Sequence, residues 1–250
     1  MTDRGYANPN LLISPEALRE RLEALRTPPP LTPPSQGGER NDGSTCVVDT
    51  RPTHEYMAGH IPGAVHFDLY GLSLNDTSER PFKAFMWMIG YLFSQRGVDP
   101  QKTIIWYEDI SGTCAARGFW FCEYFGHKDV RVLDGGFNAW REAGGEISVA
   151  PVEPPDVAAF DTQIRPEAHI NAEDIHANLG QNDFALLDTR SADEHYGRVA
   201  RAVRGGAIPG SLHIEWRNNL DESGRFKSAA ELRAMYAAAG ITPDKRIMCY

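Results

Sequence analysis

The stretch Lys245-Arg246-Ile247-Met248-Cys249-Tyr250 has the same make-up as Lys102-Thr103-Ile104-Ile105-Trp106-Tyr107: a cation, a run of β-favouring or apolar residues, and a closing tyrosine. Each follows a helical run ending in glycine (Gly97, Gly240) and then Val98-Asp99-Pro100 or Ile241-Thr242-Pro243. The chain therefore reads as two copies of one unit, and this repeat decides the fold. In the first copy the residue after the tyrosine is Glu108; in the second the corresponding place is position 251, one past the last residue given.

Working outward, the repeat holds along its whole length. Ser14-Pro15-Glu16-Ala17-Leu18 matches Asn171-Ala172-Glu173-Asp174-Ile175, an offset of 173 − 16 = 157. Cys46-Val47-Val48-Asp49-Thr50-Arg51 matches Ala185-Leu186-Leu187-Asp188-Thr189-Arg190, offset 188 − 49 = 139, and Ile61-Pro62-Gly63-Ala64-Val65-His66 matches Ile208-Pro209-Gly210-Ser211-Leu212-His213, offset 208 − 61 = 147. The drift places 157 − 139 = 18 extra residues in the first copy, around the Pro/Gly-rich Thr27 to Ser44, expected as a mobile surface loop. It places 147 − 139 = 8 extra in the second, around Gly197 to Arg204, with Arg198, Arg201 and Arg204 among them.

Each copy opens with a capped helix: Ser14 caps with Pro15 at the first helical position, placing Leu18, Leu22 and Leu25 on one face, and Asn171 caps in the second. The apolar runs Cys46-Val47-Val48 and Ala185-Leu186-Leu187 suit strands buried on both faces of a parallel sheet. Further helices are predicted near Phe82, from Thr113 to Gly126 and through Trp140, and at Ser228, where Glu231 completes a capping box. Val130 to Leu133 is another short strand. Strands alternating with helices predict an α/β fold, and ligands of such a sheet bind beyond the carboxyl ends of its strands, which here means the loops after Tyr107 and Tyr250.

Composition excludes several classes. The 250 residues, 42% hydrophobic and 24% charged, are ordinary for globular domains. A net charge of −9 argues against a nucleic-acid partner. The absence of an apolar run of about 18 residues argues against a membrane span, and the first residues lack a secretory h-region. Cys46, Cys114, Cys122 and Cys249 show no C-x-x-C spacing, so neither a metal site nor a disulfide framework is predicted, and a reducing, cytoplasmic location is expected.

Asp49-Thr50-Arg51, Gly59-His60-Ile61-Pro62-Gly63-Ala64 and Val132-Leu133-Asp134-Gly135-Gly136-Phe137-Asn138-Ala139-Trp140, in tandem copies, resemble the two-domain rhodanese sulfurtransferases, the thiosulfate/3-mercaptopyruvate sulfurtransferase family. The resemblance implies two rhodanese-like domains, each a parallel sheet flanked by helices: a non-catalytic domain over 11–148, a linker over 149–168, and a domain of catalytic type over 169–250 that stops before its active loop. It implies a cysteine directly after Tyr250, cradled by backbone N–H groups, that takes sulfane sulfur from thiosulfate or 3-mercaptopyruvate, becomes a persulfide, and passes the sulfur to cyanide or a thiol. No cofactor is implied, and the partners are the small-molecule donor and acceptor. By the length of the first copy, roughly 40 further residues are expected, so the sequence reads as a piece of a longer protein.

Within residues 1–250 no nucleophile is therefore expected. A sulfur-transferring cysteine must be a thiolate, which N–H donors at a helix N-terminus favour. Glu108 and Asp109 stand where such a thiolate and its anionic donor would sit, and would repel both. Cys249 reads as a small buried residue, Cys114 as a helix residue, Cys46 and Cys122 as packing. Asp188, Arg190, Glu194 and Tyr250 are the candidates for supporting the active loop or lining the substrate cleft. For Asp188 and Arg190 the competing reading is a structural ion pair shared with Asp49 and Arg51; for Glu194 and His195 it is solvated surface. His60 reads as a turn residue, the three loop arginines as solvated rather than substrate-attracting, and Trp140 and Trp216 as core. Two other classes stay open: a rhodanese-like binding or regulatory module without a working cysteine, and a phosphatase with a loop cysteine, against which Met248-Cys249-Tyr250 offers no preceding histidine.

Overall fold

A computed structural model describes residues 4–26, 45–74, 76–160 and 164–250; the expected loop from Thr27 to Ser44 lies outside the described residues. Two parallel sheets carry the architecture. The first contains β1 (Leu12–Ile13), β2 (Thr45–Asp49), β3 (Val65–His66), β4 (Thr103–Tyr107) and β5 (Val130–Leu133) in the order β1-β5-β4-β2-β3. The second contains β6 (Phe184–Asp188), β7 (Leu212–His213) and β8 (Arg246–Cys249) in the order β7-β6-β8. Register repeats as well: Val47 pairs with Ile105 across β2 and β4, and Ala185 with Ile247 across β6 and β8.

Parallel strands need crossovers, and helices supply them. Around the first sheet run α1 (Pro15–Arg26), α2 (Thr53–Ala58), α3 (Glu79–Gln95), α4 (Thr113–Tyr124) and α5 (Gly136–Glu142). Around the second run α6 (Ala172–Asn178), α7 (Ala192–His195) and α8 (Ala229–Ala238). The predicted caps form: the Ser14 hydroxyl accepts from the Ala17 N–H at 3.2 Å, Asn171 accepts from Asp174 at 2.8 Å, and Ser228 and Glu231 cap each other's backbone.

Alternation along the central strands splits the first core in two. Val48, Ile104 and Trp106 pack with Phe93, Phe121 and Cys122 from α3 and α4, while Val47, Ile105 and Tyr107 pack with Leu18, Phe137 and Trp140 from α1 and α5. Full burial of Trp140, whose indole N–H donates to Glu146 O at 2.8 Å, contributes roughly 2–3 kcal/mol. Around the second sheet the fully buried apolar cluster comprises Leu187, Ile214 and Ile241, backed by Met235 and Tyr236.

Two expectations need correction. Leu25 is 44% exposed, because the apolar face of α1 engages the sheet only through Leu18, with Ala17 and Leu22 beside it. Trp216 is half-buried, with the Arg217 guanidinium 4.7 Å over its ring, rather than a core residue like Trp140.

Candidate functional site at the carboxyl ends of the central strands

At the end of β2 and of β6 the same clamp appears. Asp49 is fully buried and accepts from Arg51 through the backbone N–H at 2.9 Å and Nη2 at 2.7 Å; Asp188, equally buried, accepts from Arg190 through the backbone N–H at 3.0 Å and Nη2 at 2.7 Å. Nε also donates to the aspartate in each copy, and Nη2 makes a further bond to a loop carbonyl, Gly59 O at 2.7 Å and Gly206 O at 3.0 Å. Presence in both copies makes this pair a structural clamp first: it ties the strand end to the loop behind it. Burial alone would raise the Asp188 carboxyl, but hydrogen bonds from Arg190 and His195 outweigh it and hold that carboxyl far below the usual range.

The tyrosines that close β4 and the β8 stretch also correspond. Tyr107 accepts the Ile61 N–H at 3.1 Å and Tyr250 accepts the Ile208 N–H at 2.9 Å, so each pins the Ile-Pro-Gly turn to the strand end. His60, expected as a turn residue, instead precedes the turn in an antiparallel bridge with Ser148, buried and stacked 4.0 Å from Tyr56.

After Tyr107 the chain enters the loop that precedes α4. The Glu108 carboxylate turns back into this loop and accepts the N–H groups of Cys114 at 2.7 Å and Ala115 at 3.1 Å, the free donors of the first turn of α4. Burial raises its pKa despite these bonds. Gly112 is required there, since a Cβ would lie 2.5 Å from that carboxylate. The N–H cradle of the first copy thus already holds an anion of its own.

The other thiols are poorly set up for nucleophilic work. Burial and then the charge of Glu108 push Cys114 up to about 11; burial pushes Cys46 to about 11 and Cys122 higher still. Partial burial also raises the Cys249 thiol. All four stay protonated near neutral pH, which removes the nucleophilic form.

The remaining candidates are engaged locally. Glu194 forms a capping box with Ser191 at the start of α7 and an ion pair with Arg201 at 2.9 Å, and Arg198 pairs with Asp193 at 2.6 Å. Two of the three loop arginines therefore fasten the inserted loop to α7, and Arg204 is exposed. His195, read from sequence as surface, instead places Nδ1 3.0 Å from Asp188 Oδ2.

The two copies meet at the first loop. A turn of the second copy, closed by the Leu220–Phe226 bridge, accepts the Ser111 N–H at Gly224 O, 2.9 Å, and gives the Phe226 N–H to Asp134 at 3.0 Å. Gly224 has φ +75°, and a Cβ on it would fall 2.5 Å from Ile110. Arg4 adds salt bridges to Asp134 and Asp221 and a bond to Phe226 O. Beside this contact lies a cleft of about 780 Å³, with Asn138 and Arg141 on one side and Arg217 and Ser223 on the other. The family resemblance implies a cleft between the copies with the first as one wall, but the particular contacts were not marked by any motif; the three-residue surplus between Ser78 and Ser228, relative to the 147 offset, was the signal available (228 − 78 = 150).

This architecture, a parallel α/β sheet with an Asp-x-Arg clamp and an N–H cradle at the central strand ends, is that of the rhodanese fold. Residues 36–143 match the family model of the rhodanese-like domain. The sulfur carrier protein TtuD of Thermus thermophilus is 33% identical over 98% of this chain and 84% of its own length. A relative from Mycobacterium tuberculosis, 34% identical over 98% of this chain and 78% of its own, carries the name of a candidate thiosulfate sulfurtransferase, SseA. Among solved structures, the 3-mercaptopyruvate sulfotransferase SseA of Escherichia coli superposes with a TM-score of 0.76 at 25% identity, covering 96% of this chain and 87% of that one. EanB matches with a TM-score of 0.79 at 25% identity, and the chain spans 59% of its length. The chain belongs to the rhodanese-type sulfurtransferase family, with two tandem copies of the fold. Among the described residues no helix is long and apolar enough to cross a membrane, and no cluster of three or more His, Cys, Asp or Glu could hold a metal ion.

Proposed function

We propose that the protein moves sulfane sulfur from thiosulfate or 3-mercaptopyruvate to cyanide or a thiol through a cysteine persulfide, with the nucleophile on the residue that follows Tyr250. The first copy, residues 11–148, is the non-catalytic partner, and 169–250 belongs to the catalytic one, joined by 149–168. The supporting observation is the Glu108 cradle: the loop after β4 offers two N–H donors to an anion 2.7 and 3.1 Å away, and the twin loop after β8 would offer such donors to a thiolate. With thiosulfate, the thiolate attacks the outer sulfur, an S–S bond forms, and sulfite leaves with the electron pair of the S–S bond that breaks. The acceptor then attacks the outer sulfur of the persulfide and the thiolate departs. A solved structure of EanB, 25% identical with a TM-score of 0.78, holds a cysteine persulfide, which supports the same intermediate here.

Asp188, Arg190 and Tyr250 support the active loop by fixing the ends of β6 and β8, and Glu194 does so by anchoring α7. The likeness to TtuD, named as a sulfur carrier protein, favours a second reading of the same chemistry, in which the protein holds and carries the persulfide sulfur. The test is turnover by the protein expressed from its complete gene, with each donor and with cyanide or dithiothreitol as acceptor. Thiocyanate or sulfide release is expected; no release with either donor overturns the enzymatic reading.

A further inference from the structure

The two copies differ in what completes the buried aspartate. In the first, Asp49 Oδ2 accepts the Tyr107 hydroxyl at 2.6 Å, and Tyr56 spends its own hydroxyl on Ala64 O at 2.9 Å. In the second, His195 stands at the place of Tyr56 (195 − 56 = 139) and Ser211 at the place of Ala64 (211 − 64 = 147). His195 Nδ1 takes the position on Asp188 Oδ2, and the Tyr250 hydroxyl turns to Ser211 Oγ at 3.0 Å. Two positions thus differ together between the copies, and the strand-end tyrosine has a different partner in each.

The histidine is built in rather than draped over the surface. Its side chain is 15% exposed, its ring stacks 4.4 Å from His213, and His213 in turn bonds Arg190 O at 2.9 Å. An ionised Asp188 can only accept, so the proton lies on Nδ1. The imidazole thereby joins α7, β6 and β7 at one point.

We propose that His195 is a positioning residue for sulfur transfer: by satisfying Asp188 it releases the Tyr250 hydroxyl to Ser211, and so sets the carboxyl end of β8 from which the reacting loop departs. The proposal rests on the reading that the nucleophile follows Tyr250. A displacement of the order of 1 Å at such a place can lower turnover strongly without touching substrate. The first copy, which has a carboxylate at that point, keeps the simpler tyrosine–aspartate bond.

The test compares three variants of the protein expressed from its complete gene. His195→Phe removes the donor and keeps the ring stack; kcat with thiosulfate is expected to fall roughly tenfold with KM within about twofold. His195→Asn, whose amide can stand at Nδ1, is expected to recover most of the loss. Melting of His195→Phe is measured alongside; if it fails to fold, the double variant His195→Tyr with Ser211→Ala decides, because it installs the network with which the first copy folds, and the same loss of kcat is expected. Nitrogen-15 NMR of the wild type should show His195 as the Nδ1-protonated tautomer. Unchanged kcat in whichever of His195→Phe or the double variant folds, or an Nε2-protonated ring, overturns the proposal while leaving the function intact. Absence of transfer by the wild type overturns the function and takes the proposal with it.

Discussion

The loop after β4 and the end of β8 are the same place in two copies of one unit, and they have diverged in what they hold. In the first copy the strand-end tyrosine is tied to its aspartate, the Glu108 carboxylate fills the N–H cradle of α4, and a turn of the second copy sits on the loop through Ser111 and Gly224. In the second copy the aspartate takes a histidine instead, and the tyrosine leans on Ser211. One scaffold thus serves as a dock in the first case and, on our reading, as a reaction site in the second. The clamp common to both is what the fold needs; the partners around it are free to differ.

The largest difference between the copies should appear on breaking the clamp. Removing one partner of a buried pair costs about 3–5 kcal/mol, because the other charge stays behind unpaired. Asp49→Ala leaves an Arg51 that is 5% exposed with only the half-exposed Asp109, 3.7 Å away, as a carboxylate partner and should cost about 3 kcal/mol in urea denaturation, whereas Asp188→Ala strands an Arg190 that is 34% exposed and should cost about 2 kcal/mol less. Equal losses would break the comparison.

Next comes the dock. Gly224→Ala forces a side chain toward Ile110 at a left-handed position, and overpacking of this kind costs about 1–3 kcal/mol. Faster amide exchange at Ser111 is expected in this variant, with β8 unaffected.

The two carboxylates should also give opposite responses to pH. Glu108 has a raised pKa from burial, so the folded state holds its proton more tightly than the unfolded one, and its contribution is present below 4.5 and lost as pH rises through the raised value. Asp188 has a lowered pKa, so its contribution is present above 3.8 and lost as pH falls through the lowered value. Glu108→Gln should therefore flatten the stability profile just above pH 4.5 and leave the acid limb in place, as urea titrations at stepped pH would show.

The smallest effect is at the caps. Ser228 closes a capping box on α8, while its counterpart Ser78 makes no side-chain cap bond on α3. Ser228→Ala should cost about 1 kcal/mol and Ser78→Ala only a few tenths, read from thermal melts.

Much of the frame was legible in the residues because it depends on local pattern. The runs at Cys46 and Ala185, the caps at Ser14, Asn171 and Ser228, and the Asp-x-Arg clamp all follow from spacing, and all but the Ser228 cap occur in both copies as an internal check. What escaped was tertiary. Leu25 has a helical face but no sheet beneath it. Glu108 was foreseen as a repulsive charge, but its role as the anion inside the α4 cradle depends on a backbone turn that charge counting does not describe. His195 looked like surface because its partner, Asp188, is seven residues away and becomes adjacent only when α7 folds back over β6; the pairing of Tyr56 with His195 and Ala64 with Ser211 was the one trace of it in the sequence.

The division of labour between the two copies is tested most directly by locating the sulfur. The protein expressed from its complete gene is incubated with thiosulfate, its intact mass is measured, and the modified peptide is fragmented. The account predicts the added mass of one sulfur atom on the residue following Tyr250, with Cys46, Cys114, Cys122 and Cys249 unmodified. Sulfur on any of those four cysteines, or no added mass at all, would contradict it.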